Sequence, residues 1–187
     1  MNKVYAIMGP PASGKTSIIK GLLQYGIPEM ISHTTRTANA NEQDGVDYYF
    51  VSKEKFMQTE LIERVGYDNH FYGLSKAEVL SKANQHAISV VAVNKEGLEQ
   101  LHKLLRDRVQ SIFIMVGEEA IIERAIARQD NAESIRRRIE YARHAGEFDN
   151  WQIADYVVKN AGSLEVATSQ VLAIMGLATC TAGATRG

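Results

Sequence analysis

Short apolar runs alternate with amphipathic stretches along most of the chain. The apolar runs fit buried strands, and the stretches between them carry apolar residues at helical spacing, as in a helix that covers a sheet. This pattern predicts core strands at Lys3–Met8, Met30–His33, Ala87–Val93, Val109–Val116 and Tyr156–Lys159. We therefore expect an α/β fold in three layers, with a five-stranded parallel core sheet between helices.

One stretch, residues 34–83, interrupts the alternation. It opens with a polar run and ends in a helix predicted to begin at Ser75, where Ser75 and Glu78 match a capping box. Between them lie three short strand-like pieces, Asp47–Val51, Leu61–Tyr67 and Phe71–Leu74. Strands inserted between two core strands predict a small mixed lobe over the carboxyl edge of the sheet, where ligands bind in such folds.

The remaining segments follow from this division. Residues 1–33 and 84–176 are assigned to the core, and the lobe takes 34–83. Residues 177–187 are small and without periodicity, which predicts a disordered tail.

A glycine-rich segment follows the first strand. It reads Gly9-Pro10-Pro11-Ala12-Ser13-Gly14-Lys15-Thr16 and leads through Ser17 into a helical pattern, which is the phosphate loop G-x-x-x-x-G-K-T. Its glycines let successive backbone N–H groups turn toward a phosphate, and the following helix adds its positive dipole end. Lys15 would reach the β- and γ-phosphates, and the Thr16 hydroxyl would bind Mg²⁺. The loop predicts a nucleoside triphosphate site, with ATP and Mg²⁺ as its ligands.

Length and composition indicate what kind of protein carries this site. The 187 residues suit one domain with a sizeable core, and 21 basic residues against 22 acidic ones give no field that favours nucleic acid or an anionic membrane. Cys180 is the single cysteine, and no apolar run is long enough to span a bilayer. We expect a cytoplasmic protein, a monomer or homodimer, whose partners are small nucleotides.

A second group of residues offers chemistry for another ligand. Arg36 has a planar fork suited to a phosphate, and Tyr48 and Tyr72 offer phenolic donors and flat faces for a base. Glu63 could accept two N–H bonds from one edge of a purine. Taken singly, each has an ordinary structural explanation as a surface or core residue.

Together, the motifs resemble the guanylate kinase family. The phosphate loop, Ser32-His33-Thr34-Thr35-Arg36, Asp44–Phe50, Tyr72-Gly73 and Asp155–Asn160 all follow in the order of that family. The resemblance covers Val4 to about Met175. It implies a nucleoside-monophosphate kinase that transfers the γ-phosphate of ATP to GMP, giving GDP and ADP. It further implies that Arg36, Tyr48 and Tyr72 hold the acceptor phosphate, while Ser32 and Glu63 recognise guanine.

An arginine-rich segment corresponds to the lid of these enzymes, here about residues 118–147. On the family pattern, Arg124, Arg128 and Arg138 would face the phosphates and complete the catalytic set with Lys15 and Arg36. Cationic side chains on a closing lid neutralise charge on the transferred group and expel water. Arg136 and Arg137 are expected on a solvated, salt-bridged face.

Four positions depart from the family pattern. Asn39 replaces a second phosphate-binding arginine, Leu74 replaces a hydroxyl residue, and Ala92 and Asn94 replace two carboxylates, with Asn94 still expected to contact the acceptor. The departures favour a second hypothesis, a divergent kinase for another nucleotide or small phosphorylated acceptor. A third hypothesis, a non-catalytic interaction module of guanylate kinase type, is disfavoured by the complete phosphate loop.

Overall fold

The computed structural model describes residues 2–127 and 131–177. Its strands are β1 Lys3–Met8, β2 His33–Thr34, β3 Tyr49–Phe50, β4 Leu61–Tyr67, β5 His70–Ser75, β6 Ile88–Ala92, β7 Val109–Met115 and β8 Tyr156–Lys159. Its α-helices are α1 Lys15–Leu23, α2 Lys53–Gln58, α3 Lys76–Gln85, α4 Lys95–Leu105, α5 Glu118–Ala127, α6 Ala132–His144 and α7 Leu164–Ile174. Apart from Leu177, the predicted tail lies outside the described residues.

A parallel sheet with the strand order β6-β1-β7-β8 forms the centre of the fold. Parallel neighbours need long crossovers, and helices supply them here. On one face, α3 and α4 cover the sheet with residues such as Val79 and Leu101; on the other, α1 and α7 do so with residues such as Ile18 and Val171. The predicted three-layer α/β fold is therefore confirmed.

The fifth core strand, predicted at Met30–His33, is not a regular strand. At that edge, Glu29 forms a parallel bridge with Val90, and the Met30 N–H donates to the Val90 carbonyl oxygen at 2.8 Å. Among the described residues, the sheet itself has four strands. The chain then turns away, and His33 and Thr34 pair with β5 in a second sheet. The prediction therefore carried the core sheet too far along the chain, because both sheets bury apolar residues at the junction.

The second sheet has the strand order β3-β2-β5-β4 and lies within residues 33–75. The hairpin of β4 and β5 turns at Asp68 and Asn69, which both have positive φ, as a tight hairpin requires. Ser75 caps α3 by accepting a hydrogen bond from the Glu78 N–H, as predicted. The Glu78 carboxylate does not complete a capping box, however, because it accepts from the Ile31 N–H and so links α3 to the segment entering this sheet.

Helices α5 and α6 form a separate layer over the carboxyl edge of the core. They pack on each other through a small apolar cluster that includes Val116, Ile121, Ala125, Ile135 and Ile139. In the part of the chain that the structure describes, none of the helices is both long and apolar enough to cross a bilayer.

Candidate active site

The phosphate loop has the backbone conformation that its glycines predict. Gly9 and Gly14 have φ values of +143° and +100°, which side-chain-bearing residues rarely adopt. A Cβ atom on Gly9 would lie 2.6 Å from the Ile114 carbonyl oxygen, and one on Gly14 would lie 2.5 Å from Asn160 Nδ2. Both positions therefore require glycine for conformation and for space.

Lys15 curls back over this loop. Its Nζ donates to the carbonyl oxygens of Gly9 at 2.6 Å and Pro10 at 3.0 Å. Burial lowers the pKa of the ammonium to about 8, and the nearby Glu147 carboxylate partly opposes that shift. The ammonium is thus held at the mouth of the loop, where it can move to the phosphates of a bound nucleotide.

The loop is braced from the C-terminal half of the chain. Asn160, which is 4% exposed, donates from Nδ2 to the Ser13 carbonyl oxygen at 2.8 Å. Arg124 donates to the Asn160 carbonyl oxygen at 2.8 Å and to the Ser13 carbonyl oxygen at 3.3 Å. The structure thus places Arg124 beside the phosphate loop and adds Asn160, which the sequence indicated only as part of a motif.

One cavity of about 670 Å³ joins the phosphate loop to the second sheet. It brings together ten of the predicted site residues, namely Gly9, Pro11, Lys15, Thr16, Ser32, Arg36, Tyr48, Glu63, Tyr72 and Asn94. A second cavity of about 460 Å³ lies on the other side of the loop, lined by Gly14, Ser17, Arg124 and Asn160 among others. The loop therefore lies between two spaces large enough for small ligands.

Arg36 is held in place from two directions. Its Nη1 and Nη2 donate to the two carboxylate oxygens of Glu42, each at 2.8 Å. The guanidinium also lies over the rings of Tyr48 and Phe50, at 5.5 and 5.6 Å from their centroids. Tyr72 meets Tyr48 edge-on at 5.9 Å. A fixed guanidinium beside two phenols is suited to binding a phosphate.

Glu63 projects into the same cavity from β4. Burial raises the pKa of its carboxyl group to about 7, and the Glu96 carboxylate adds to the shift. Glu63 Oε2 is buried and accepts no hydrogen bond from the residues that the structure describes. Leaving a buried acceptor unpaired is costly, so a ligand with N–H donors would recover that cost on binding.

Comparisons with known proteins agree with this geometry. The guanylate kinase family model matches residues 1–176. The chain belongs to the guanylate kinase family. It is 36% identical over 166 residues to a guanylate kinase of Hahella chejuensis, covering 84% of this chain and 78% of that protein. It is 33% identical over 174 residues to one from Legionella pneumophila strain Lens, covering 87% and 83%.

A solved structure supports the fold independently. The crystal structure of a guanylate kinase from Anaplasma phagocytophilum aligns with a TM-score of 0.69, covering 94% of this chain and 85% of that one at 23% identity. The sequence comparisons therefore confirm the family membership predicted from the motifs, and the solved structure confirms the fold.

The structure shows how three departures from the guanylate kinase pattern are accommodated. Leu74 is fully buried in the core and offers nothing to a ligand. Asn39 donates its backbone N–H to Glu42 at 2.7 Å, so its segment supports the partner of Arg36. Asn94 uses its side-chain oxygen to cap α4, accepting from the Gly97 N–H at 2.8 Å. Asn94 therefore lines the cavity with its oxygen already engaged.

The arginines of the predicted guanylate kinase lid differ in position. Arg138 donates to the Tyr67 hydroxyl at 3.2 Å and its guanidinium lies over that ring, whereas Arg124 contacts the phosphate loop. Arg128 lies outside the described residues. Arg136 and Arg137 form exposed ion pairs with Glu140 and Glu133, so the predicted salt-bridged face is confirmed.

Sequence reasoning missed a group of charged residues in the main cavity. Lys20 of α1 pairs with Asp47, in the loop before β3, with Nζ and Oδ1 separated by 2.8 Å. Burial raises the pKa of the adjacent Glu29 carboxyl group to about 7, which Lys20 partly offsets. The pattern of apolar residues does not identify Glu29 as a cavity residue. Its position is set by the bridge with Val90, which forms only when the chain folds.

Proposed function

We propose that the protein transfers the γ-phosphate of ATP to GMP, giving ADP and GDP. The observation that carries this proposal is the single cavity that joins Lys15 and Thr16 to Arg36, Tyr48 and Glu63. Phosphoryl transfer depends mainly on positioning two phosphates and neutralising their charge. A shared cavity with a donor loop at one side and a fixed guanidinium at the other does both.

Each side of the cavity has a distinct task in this proposal. Lys15 leaves the loop carbonyls for the donor phosphates, and Arg36 with Tyr48 and Tyr72 aligns the acceptor phosphate in line. Glu63 and Ser32 bind the guanine edge, since a carboxylate can accept from both N1–H and the 2-amino group. No general base is required, because the acceptor phosphate is already an anion.

Magnesium fits the oxygen donors present. Among the described residues, no three His, Cys, Asp or Glu side chains lie together as a metal site. Mg²⁺ is usually bound by one or two protein oxygens together with substrate phosphates and waters, so a dedicated protein cage is not needed. Thr16, at the start of α1 and on the cavity wall, would bind the metal, which neutralises phosphate charge during transfer.

Closure of α5 and α6 completes the proposed site. Arg124 already contacts the loop, and movement of residues 118–147 would bring Arg138 from Tyr67 toward the phosphates. Closure expels water and strengthens the electrostatic interactions inside.

A second candidate is a kinase for another phosphorylated acceptor. Buried Leu74 and the engaged oxygen of Asn94 favour it, because both remove polar contacts from the guanine side. A coupled assay of ADP release, with ATP and a panel of monophosphates, separates the two. We expect the highest kcat/KM for GMP and dGMP. A comparable value for AMP or a pyrimidine monophosphate would contradict the guanine assignment and favour the second candidate.

A further inference from the structure

The charge of the main cavity is unusual for a site that receives phosphates. Its lining includes three cationic side chains and five carboxylates, namely Lys15, Lys20 and Arg36 against Glu29, Glu42, Asp47, Glu63 and Glu147. With every group ionised, the lining has an excess of negative charge. A phosphorylated ligand therefore needs positive charge delivered with it or closed over it.

Two of these carboxylates already have a cationic partner. Glu42 holds Arg36 through both oxygens, and Asp47 pairs with Lys20 and accepts from the Gln43 N–H. Glu29 differs from both, because its carboxylate accepts no hydrogen bond from the described residues although it lies on the cavity wall. Its neighbour Lys20 is already bound to Asp47.

The backbone fixes the side of the sheet on which Glu29 lies. Glu29 bridges in parallel with Val90, so the two side chains emerge on the same face, and Ala92 follows on that face at the end of β6. Val90 packs in the cluster that contains Ile18 and Ile19 of α1. Glu29 therefore lies on the face that α1 covers, and α1 begins with Lys15 and Thr16.

Resting on the proposed function, we propose that Glu29 is the carboxylate that holds the Mg²⁺ of the bound donor nucleotide through the water shell of the metal. Glu29 and Thr16 are oxygen donors that line one cavity, on the same side of the sheet. Glu29 is level with Val90, two residues before the carboxyl end of β6. Carboxylates, hydroxyls and waters are the ligands and outer partners that Mg²⁺ prefers. Ala92, at the end of the neighbouring strand β6, has only a methyl group and cannot hold the water shell of the metal, so we assign that role to Glu29.

The position of Glu29 favours the metal over a hydroxyl of the acceptor. Four of the proposed acceptor groups, Arg36, Tyr48, Tyr72 and Glu63, come from residues 34–83. Glu29 and Thr16 belong to the core, as does the fifth acceptor group, Ser32. A carboxylate beside transferring phosphates would repel them without an intervening cation. Glu29 is thus a positioning residue for the metal.

Manganese binding tests this assignment without any acceptor. Free Mn²⁺ is measured by electron paramagnetic resonance in solutions of the full chain with ADP, for the unmutated protein, Glu29→Gln and Glu29→Asp. We expect Glu29→Gln to weaken Mn²⁺ binding to the ADP complex about 10- to 100-fold, as for other outer partners of metals. ADP affinity in EDTA should not fall in Glu29→Gln, because without the metal the carboxylate only repels the phosphates. Glu29→Asp should retain part of the Mn²⁺ affinity.

Two further variants test whether the effect on Mn²⁺ binding depends on the position of the carboxylate. Glu42→Gln removes the same charge from the acceptor side of the cavity and should leave Mn²⁺ affinity within about twofold, since outer-partner effects are local. Glu29→Gln combined with Ala92→Asp moves a carboxylate to the neighbouring strand end and should restore much of the lost affinity.

The outcomes separate this assignment from the proposed function. If Glu29→Gln and Glu42→Gln lost Mn²⁺ affinity equally, the loss would reflect only the net charge of the cavity, and the assignment would be overturned. Unchanged Mn²⁺ affinity with a raised KM for GMP would also overturn it, and would make Glu29 an acceptor ligand. Failure of the unmutated chain to bind ADP would instead overturn the proposed function itself.

Discussion

Glu63 lies against Gly97 so closely that no side chain fits between them. A Cβ atom on Gly97 would overlap the Glu63 carboxylate and would lie 2.9 Å from the Val93 Cβ. Glu63 comes from β4 of the second sheet, whereas Gly97 lies in the first turn of α4. The bare backbone of Gly97 therefore sets the position of the one carboxylate proposed to recognise guanine.

Gly97→Ala should displace that carboxylate. We expect a lower kcat/KM for GMP, a weaker preference for GMP over AMP, and a loss of stability of about 1–3 kcal/mol from overpacking. Gly117→Ala is the matched control, because in the described part of the chain no atom lies within 4 Å of a Cβ placed there. Steady-state kinetics and thermal unfolding measure both effects. A Gly97→Ala protein with unchanged acceptor preference would separate Glu63 from base recognition.

Acceptor binding should depend on pH through Glu63. Its raised pKa of about 7 means that the buried carboxyl group takes up a proton as the pH falls through 7, whereas guanine binding needs the ionised form. The Kd for GMP should therefore rise about tenfold between pH 8 and pH 6, as the ionised fraction falls. Calorimetric titration measures this. Glu63→Gln should bind GMP more weakly, and the pH dependence of its Kd should come only from the nucleotide phosphate. If the Kd for GMP depended on pH equally in both proteins, Glu63 would not be the titrating group.

The same shift predicts the pH dependence of stability. A carboxyl group with a pKa raised in the folded state favours folding below its unfolded pKa, and that contribution is lost as the pH rises through about 7. Glu63→Gln should therefore gain stability relative to the unmutated protein between pH 6 and pH 8. Urea unfolding of the ligand-free proteins at both pH values measures the difference, and a constant difference would contradict burial of the ionised group.

The sequence predicted the local features and missed the contacts between distant segments. The strands Lys3–Met8, Leu61–Tyr67 and Tyr156–Lys159 have the predicted bounds, because each is a contiguous run whose pattern is local. Met30–His33 was predicted as a core strand, but in the part of the chain that the structure describes only its first residue bonds to the core sheet and His33 pairs in the second one. Apolar spacing does not say where a segment passes from one sheet to another. The roles of Glu29 and Gly97 depend on residues more than 30 positions away, so no local pattern could indicate them.

Arg36 should carry most of the acceptor phosphate binding, since Asn39 supplies no second guanidinium. Charge-assisted hydrogen bonds are worth about 1.5–3 kcal/mol, so Arg36→Ala should raise the KM for GMP roughly 10- to 150-fold and lower kcat as well. Arg36→Lys keeps the charge but loses the two-oxygen contact with Glu42. Its KM for GMP and its kcat should therefore lie between those of the unmutated protein and those of Arg36→Ala. Kinetics with GMP that are the same in all three proteins would assign the acceptor phosphate to another residue.

Lys15→Ala should abolish most phosphoryl transfer without unfolding the protein. The Lys15 ammonium neutralises charge that grows on the donor phosphates, and removal of one such donor typically costs about 10²- to 10³-fold in kcat. Its loop bonds are made by Nζ alone, so the backbone of the loop should survive. Lys103→Ala, on an exposed face of α4, controls for loss of a surface charge. Near-normal turnover of Lys15→Ala at saturating ATP would remove Lys15 from the mechanism.

Arg124 links the predicted lid to the donor loop before any ligand binds. Its guanidinium contacts the carbonyl oxygens of Ser13 and Asn160, so Arg124→Ala should loosen the loop and also remove a cation from the phosphates. We expect kcat to fall and the KM for ATP to rise, whereas the KM for GMP should change little. Arg136→Ala is the matched control, since Arg136 lies on the exposed face of α6 and pairs with Glu140. Its kinetics should stay within about twofold of the unmutated protein, as expected for an exposed ion pair. If the two variants behaved alike, the contact of Arg124 with the loop would be structural, and closure of the lid would rest on other cations.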